Sequence, residues 1–168
     1  MKATLLVSLA LAASAIAGPS SAQVPRGYTP QSADMQKLEN NTALSAKRYQ
    51  DGVDALNAKN FAVAEAIFDE VLRENGNHPE ANFMMGVAKM SLGKWAEAKS
   101  NLEIAVKKKP KEPDPKSRLG VTLIKLGDAE GAKKQRDDLV KLQKACNGNC
   151  KNAAYIDRGI AMIDATKP

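Results

Sequence analysis

The residues best suited to covalent or metal chemistry are two cysteines, Cys146 and Cys150, separated by Asn147-Gly148-Asn149. Covalent haem attachment requires two intervening residues and a following histidine, whereas Lys151 follows the second cysteine here. A zinc site would need more ligands than this pair and the single histidine, His78. In an exported protein the expected outcome is a disulfide between Cys146 and Cys150, with Asn-Gly turning the chain. A redox-active pair is the alternative.

No other group of residues forms a catalytic or cofactor-binding motif. His78 lies in the turn Asn77-His78-Pro79, where a role in the loop is expected. Serine, aspartate and glutamate are plentiful, but they form no motif with recognisable mechanics, and no glycine-rich phosphate loop is present. The sequence therefore predicts a protein that is not an enzyme and that uses no metal and no cofactor.

The first 22 residues have the layout of a secretory signal peptide. Met1 and Lys2 precede an uncharged apolar run, Leu5 to Ala17, and small residues precede a predicted cleavage site after Ala22. Cleavage after Ala17 and an uncleaved membrane anchor are the alternatives, although the run is shorter than the roughly 20 apolar residues that span a bilayer. The segment resembles bacterial Sec signals. We therefore expect a periplasmic or secreted protein that is not an integral membrane protein.

The charge of the chain is unevenly distributed. The formal net charge is +6, and residues 79–168 include 18 basic and 11 acidic residues. Such a basic half could suit nucleic acid, an anionic membrane surface or an acidic protein. Export argues against nucleic acid, so none is expected. Solvated helix faces and lysines near helix ends, such as Lys107-Lys108-Lys109 before Pro110, are the favoured explanation of the excess.

Residues 23–41 are predicted to be flexible, because Pro25, Gly27 and Pro30 interrupt a segment with little to bury. Ser32 could cap a short helix, and Asn40-Asn41-Thr42 indicates a break before the first long helix. The remaining residues, 42–168, are predicted to form one folded domain.

A period of 34 residues organises that domain, which is the period of a helix-turn-helix array. Glycine, valine and alanine each recur three times at this spacing. The recurring residues are Gly52, Gly86 and Gly120; Val53, Val87 and Val121; and Ala64, Ala98 and Ala132.

Proline and glycine divide each period into two helices. The predicted pairs are 43–58 with 61–75, 79–92 with 95–109, and 114–126 with 129–145, in repeats of about 45–78, 79–112 and 113–146. A further helix at about 150–164 carries Tyr155, Ile156, Ile160 and Ile163 on one face, as a capping helix should. The disulfide would fix its angle to the last repeat.

The recurring small residues predict close packing within each pair. A glycine in mid-helix costs about 1 kcal/mol relative to alanine, so three in register indicate that a partner helix approaches the backbone there. Besides these glycines and alanines, the predicted packing residues are Phe68, Trp95 and Leu102. Arg136 occupies the place of Phe68 and Leu102 in the third copy, which weakens that repeat.

These residues resemble the tetratricopeptide repeat family over about 45–145. The resemblance implies an all-α fold: a right-handed superhelical α-solenoid of three helix pairs followed by a C-terminal capping helix. It also implies that the first helix of each pair lines a groove that holds a peptide or a partner helix.

By that geometry, an apolar stripe on the first helices faces the groove and would bind a hydrophobic or amphipathic segment. Met84, Met85 and Met90 would add adaptable surface. The stripe lacks the lysine and asparagine pattern of family members that clamp a C-terminal carboxylate. The predicted groove residues are Tyr49, Val53, Leu56, Phe83, Val87, Met90, Val121 and Ile124.

Two functions follow from this prediction. The first is an exported, non-catalytic adaptor or scaffold that binds a protein or peptide partner. The second is a structural module of the cell envelope that covers its stripe by forming a homodimer. Residues 23–44 could also cover the stripe.

Overall fold

The computed structural model describes the backbone of residues 30–168 and the side chains of residues 41–168. The predicted signal peptide, 1–22, and residues 23–29 lie outside the described residues. Residue contacts divide the chain into residues 1–37 and a compact unit, residues 38–168, and every contact below lies within the latter.

The described chain is all-α, as the sequence predicts. Seven helices and no strand are found between residues 30 and 168. They are α1 (Pro30–Asn57), α2 (Phe61–Glu74), α3 (Pro79–Ser91), α4 (Trp95–Lys108), α5 (Pro113–Lys125), α6 (Ala129–Cys146) and α7 (Ala153–Ala165). The last six follow their predicted order and keep their predicted bounds to within about three residues.

The predicted break before the first long helix is wrong. α1 begins at Pro30 and continues through Asn40-Asn41-Thr42 to Asn57, so residues 30–41 are helical rather than flexible. Asparagine and threonine disfavour a helix by only a fraction of a kcal/mol each, which is too little to end one. No glycine or proline lies between Pro30 and Gly52 to interrupt the backbone hydrogen bonds.

The turns within the three pairs share one backbone conformation. Lys59, Gly93 and Gly127 occupy equivalent positions, with φ of 60°, 75° and 78°. Glycine adopts this left-handed conformation freely, whereas a residue with a side chain is strained there. The first turn therefore carries a strain that the other two avoid.

Side-chain caps stabilise the N-termini of two helices, α3 and α6. His78 lies before Pro79, and its Nδ1 accepts a hydrogen bond from the backbone N–H of Ala81 at 3.2 Å. Asp128 accepts one from the N–H of Gly131 at 2.8 Å. Each cap satisfies a backbone donor that the helix itself leaves free.

A large side chain packs on the mid-helix glycine of the first two repeats. A Cβ on Gly52 would lie 2.8 Å from the Phe68 ring, and one on Gly86 would lie 2.7 Å from Leu102 Cγ. Phe68 and Leu102 are both completely buried. The residues predicted to pack the repeats are buried, apart from Trp95, which is partly exposed.

In the third repeat, α7 supplies this side chain. A Cβ on Gly120 would lie 2.5 Å from Ile163 Cδ1, so Ile163 occupies the place that Arg136 leaves unfilled. Arg136 instead binds Asp164, with its Nε 2.5 Å from Oδ1 and its Nη2 2.8 Å from Oδ2. α7 is therefore an integral part of the last repeat as well as its cap.

The apolar core is divided into three successive clusters along the array. The first joins α2 and α3 under residues of α1, the second joins α4, α5 and α6, and the third joins α6 and α7. Each helix pair thus completes its core with the next helix, as a solenoid does. None of the seven helices combines the length and the apolar character needed to cross a bilayer.

The contact on Gly52 can be tested by adding a single methyl group. We expect Gly52→Ala to lower the free energy of unfolding by about 1–3 kcal/mol, because the buried Phe68 ring must move. Gly76→Ala is the control, since its nearest neighbour is a carbonyl oxygen at 3.5 Å, and it should change stability by less than about 0.5 kcal/mol. Urea unfolding measures both, and equal midpoints for the two variants would contradict this packing.

Candidate binding groove

A cavity of about 410 Å³ lies between the first helices of the repeats and α7. We call it the main groove. Its apolar wall includes side chains from α1, α3 and α7, and its polar lining comes from α5, α7 and Asn57 of α1. The lining residues are Leu56, Asn57, Phe61, Phe83, Met84, Val87, Asp114, Ser117, Arg118, Tyr155, Arg158, Gly159 and Met162.

The eight predicted groove residues are all partly buried, but the structure does not bring them all to one cavity. Leu56, Phe83 and Val87 line the main groove together. The other five residues line neither the main groove nor, apart from Tyr49, the second cavity described below. Val53, Met90 and Ile124 pack beside the apolar clusters, and Val121 is partly exposed nearby on α5.

Tyr49 lines a second cavity of about 380 Å³ together with His78 and Glu80. Its ring stacks on His78 at a centroid distance of 5.6 Å and meets the Phe68 ring edge-on at 5.9 Å. Burial raises the pKa of the Tyr49 hydroxyl, because the phenolate would lose hydration. Tyr49 is thus positioned by packing and stays neutral at physiological pH.

The capping helix contributes to the main groove, which the sequence analysis did not foresee. Tyr155, Arg158 and Met162 of α7 line it, while Ile156 and Ile163 are buried and Ile160 is partly buried. The prediction that Tyr155 shares the packed face of α7 is therefore wrong, since Tyr155 is 46% exposed. Its spacing to Arg158 and Met162, three and seven residues, was the available signal.

α7 reaches the groove because small residues let it approach α5. A Cβ on Gly159 would lie 3.0 Å from the Cβ of Ser117. The Arg158 guanidinium carbon lies 4.5 Å from the centroid of the Tyr155 ring, a cation–π contact that orders both side chains at the groove.

One predicted groove methionine belongs to the core instead. Met85 is 4% exposed and packs in the first apolar cluster, whereas Met84 lines the main groove. Successive positions on a helix lie 100° apart, so neighbouring methionines cannot both face one cavity.

The chemistry available at the main groove is non-covalent. Its lining combines aliphatic and aromatic side chains with two guanidinium groups and one carboxylate. No group of three or more histidine, cysteine or acidic residues within the described chain could hold a metal ion. Such a surface suits a peptide segment with both apolar and polar side chains.

Cys146 and Cys150 are joined by a disulfide at the turn from α6 to α7. The turn passes through Asn147 and Gly148, both with positive φ (47° and 74°). The bridge therefore lies beside the helix that completes the main groove and outside the groove lining itself.

Comparison by sequence identifies no family: no family model matches the chain, and no curated protein matches it. Comparison by structure identifies the fold. PcrH from Pseudomonas aeruginosa, in complex with the chaperone binding region of PopB, superposes with a TM-score of 0.63 at 19% identity, covering 71% of this chain and 94% of PcrH.

Two further structures are similar to this chain over the same share of its length. The Yersinia enterocolitica type III secretion chaperone SycD, in complex with a peptide of the translocator YopD, has a TM-score of 0.60 at 14% identity and 89% coverage of SycD. The Sgt2 tetratricopeptide repeat domain of Aspergillus fumigatus has a TM-score of 0.58 at 22% identity; 71% of this chain and 76% of that domain are covered. At these identities the likeness shows the fold alone, a tetratricopeptide-repeat solenoid.

The contribution of the disulfide to the position of α7 can be measured. Because the bridge closes a loop of only a few residues, its removal should lower the free energy of unfolding by about 2 kcal/mol at most. α7 should remain docked, since Ile156 and Ile163 stay buried and Arg136 still binds Asp164. Urea unfolding and amide exchange of a Cys146→Ser/Cys150→Ser variant would check this. Loss of protection throughout α7 would show that the bridge, rather than packing, holds it.

Proposed function

We propose that this protein is a non-catalytic adaptor that binds a segment of another protein in the main groove. The observation that carries the proposal is the cavity of about 410 Å³ formed jointly by Leu56, Phe83, Val87 and side chains of α7. Its size lies within the range of ligand pockets. Partly exposed apolar side chains from several helices, rimmed by charge, are characteristic of protein interaction sites.

The structures that share this fold support the same function. PcrH was crystallised with the chaperone binding region of PopB, and SycD with a peptide of YopD. In both cases a fold of this type is found together with a segment of another protein. By analogy, a peptide segment is the class of partner that we propose here.

The proposal can be tested with two aspartate substitutions, one inside the main groove and one outside it. Phe83→Asp places a charge in the main groove, whereas Val63→Asp places one on α2 at a side chain that is 53% exposed and lines none of the described cavities. Peptides selected from a random 16-residue phage-display library on the wild-type protein should bind Val63→Asp unchanged. They should bind Phe83→Asp at least tenfold more weakly, because a carboxylate must be desolvated against the bound apolar side chain.

Light scattering on the same three proteins separates the adaptor from the self-associating module. The adaptor is monomeric before and after substitution. A stable wild-type dimer that dissociates in Phe83→Asp would establish self-association and overturn the adaptor. Circular dichroism verifies that each variant keeps its helices.

We further propose that the protein acts outside the cytoplasm, after removal of residues 1–22. The support is the sequence layout of the leader and the cysteine pair, which is stable as a disulfide in an oxidising compartment. Mass spectrometry of protein from the native host should find Gln23 at the amino terminus and the bridge intact. An amino terminus at Met1 with two free thiols would contradict export.

A further inference from the structure

The arginines of the described chain fall into two groups. Arg48 binds Glu74, Arg73 lies 2.6 Å from Asp69, and Arg136 lies 2.5 Å from Asp164. The remaining two, Arg118 and Arg158, have no ion pair with any carboxylate among residues 41–168. Both line the main groove.

The surroundings of these two arginines favour an incoming carboxylate. Arg158 is held against the Tyr155 ring, and its Nε donates to the Ala154 carbonyl at 3.3 Å, which leaves the terminal nitrogens as unused donors. A guanidinium offers donors in a planar fork that matches a carboxylate. Arg118 is partly buried beside the apolar walls, which exclude part of the water that would otherwise weaken such a pair, whereas Arg158 is exposed.

Among the described residues, Asp114 is the only acidic one that lines the main groove, and it lies one helical turn before Arg118 on α5. It forms no ion pair within the described part of the chain. The described lining therefore carries two positive charges and one negative charge, so an excess of positive charge remains in the groove.

We propose that the segment bound in the main groove is an acidic amphipathic peptide of another protein. Its apolar side chains would pack on Leu56, Phe83 and Val87, and its aspartate or glutamate side chains would pair with Arg118 and Arg158. This inference rests on the proposed function and adds the chemistry of the partner. The apolar wall distinguishes a peptide from purely polyanionic ligands, which carry no side chains to fill it.

The experiment compares selection on matched arginine variants. A random 16-residue phage-display library is selected on the wild-type protein, on Arg118→Gln/Arg158→Gln, and on the control Arg73→Gln. Arg73 has the same side chain as Arg118 and Arg158, but it lies on α2 and lines none of the described cavities. We expect the wild type and the control to enrich peptides that combine apolar residues with aspartate or glutamate, and the double variant to lose the acidic preference.

Synthetic versions of the selected peptides then test the pairing directly. Replacing their acidic residues with amides should weaken binding to the wild type about tenfold, and the double variant should weaken binding of the acidic peptide about tenfold. The amide peptide should bind both proteins equally, because the interaction is already absent. Arg118→Lys/Arg158→Lys, which keeps the charge, should restore part of the affinity.

The possible outcomes distinguish failure of the acidic-peptide inference from failure of the proposed adaptor function. Peptides that require Phe83 but show no acidic enrichment would overturn the acidic partner and leave the adaptor intact. Acidic peptides that bind the double variant as tightly as the wild type would overturn it too. Failure to recover any peptide that is sensitive to Phe83→Asp would overturn both proposals.

Discussion

The repeat array depends on a large apolar side chain that rests directly on a glycine in the middle of a helix. Phe68 on Gly52, Leu102 on Gly86 and Ile163 on Gly120 are three forms of this contact. Each glycine lowers the helix propensity of its segment. The dispersion energy and apolar burial gained when the neighbouring helix packs closely offset this cost. Because this contact fixes how closely neighbouring helices approach, it sets where each successive helix lies and hence where the main groove opens.

Most of the fold could be predicted because the constraint is local and repeated. A glycine every 34 residues, with an alanine at a fixed distance, determines the period, the number of pairs and the helix bounds. Proline and glycine add sharp ends. The error at Asn40-Asn41-Thr42 has the opposite cause, because weak helix formers indicate a break only when no continuous backbone hydrogen bonding competes with them.

The candidate site was less predictable, because it depends on how α7 docks. Three residues of the stripe on the first helices, Leu56, Phe83 and Val87, line one cavity. Tyr155 and Arg158 lie outside the repeat period, so no register could place them on the groove. Ile163 also lies outside the repeat period, and the sequence around Gly120 does not indicate which segment of the chain will pack on that glycine.

The basic residues of the array differ in whether they form ion pairs, depending on the surface on which they lie. Outside the main groove, lysine and arginine bind acidic residues of neighbouring helices. Lys94, in the turn before α4, binds Glu65 of α2 at 2.8 Å, and Arg136 of α6 binds Asp164 of α7. Such exposed pairs contribute little energy individually, but they compensate the basic excess where helices meet. Inside the main groove, positive charge is left without this compensation.

The position of Ile163 has a consequence for the order in which the protein folds during its synthesis. Synthesis makes α5 and α6 before α7, so Gly120 of the last helix pair stays uncovered until α7 has been made. The first two pairs hold their own covering side chains and can close earlier. The order of synthesis therefore places completion of the last pair, and of the groove lining that α7 supplies, after completion of the first two pairs.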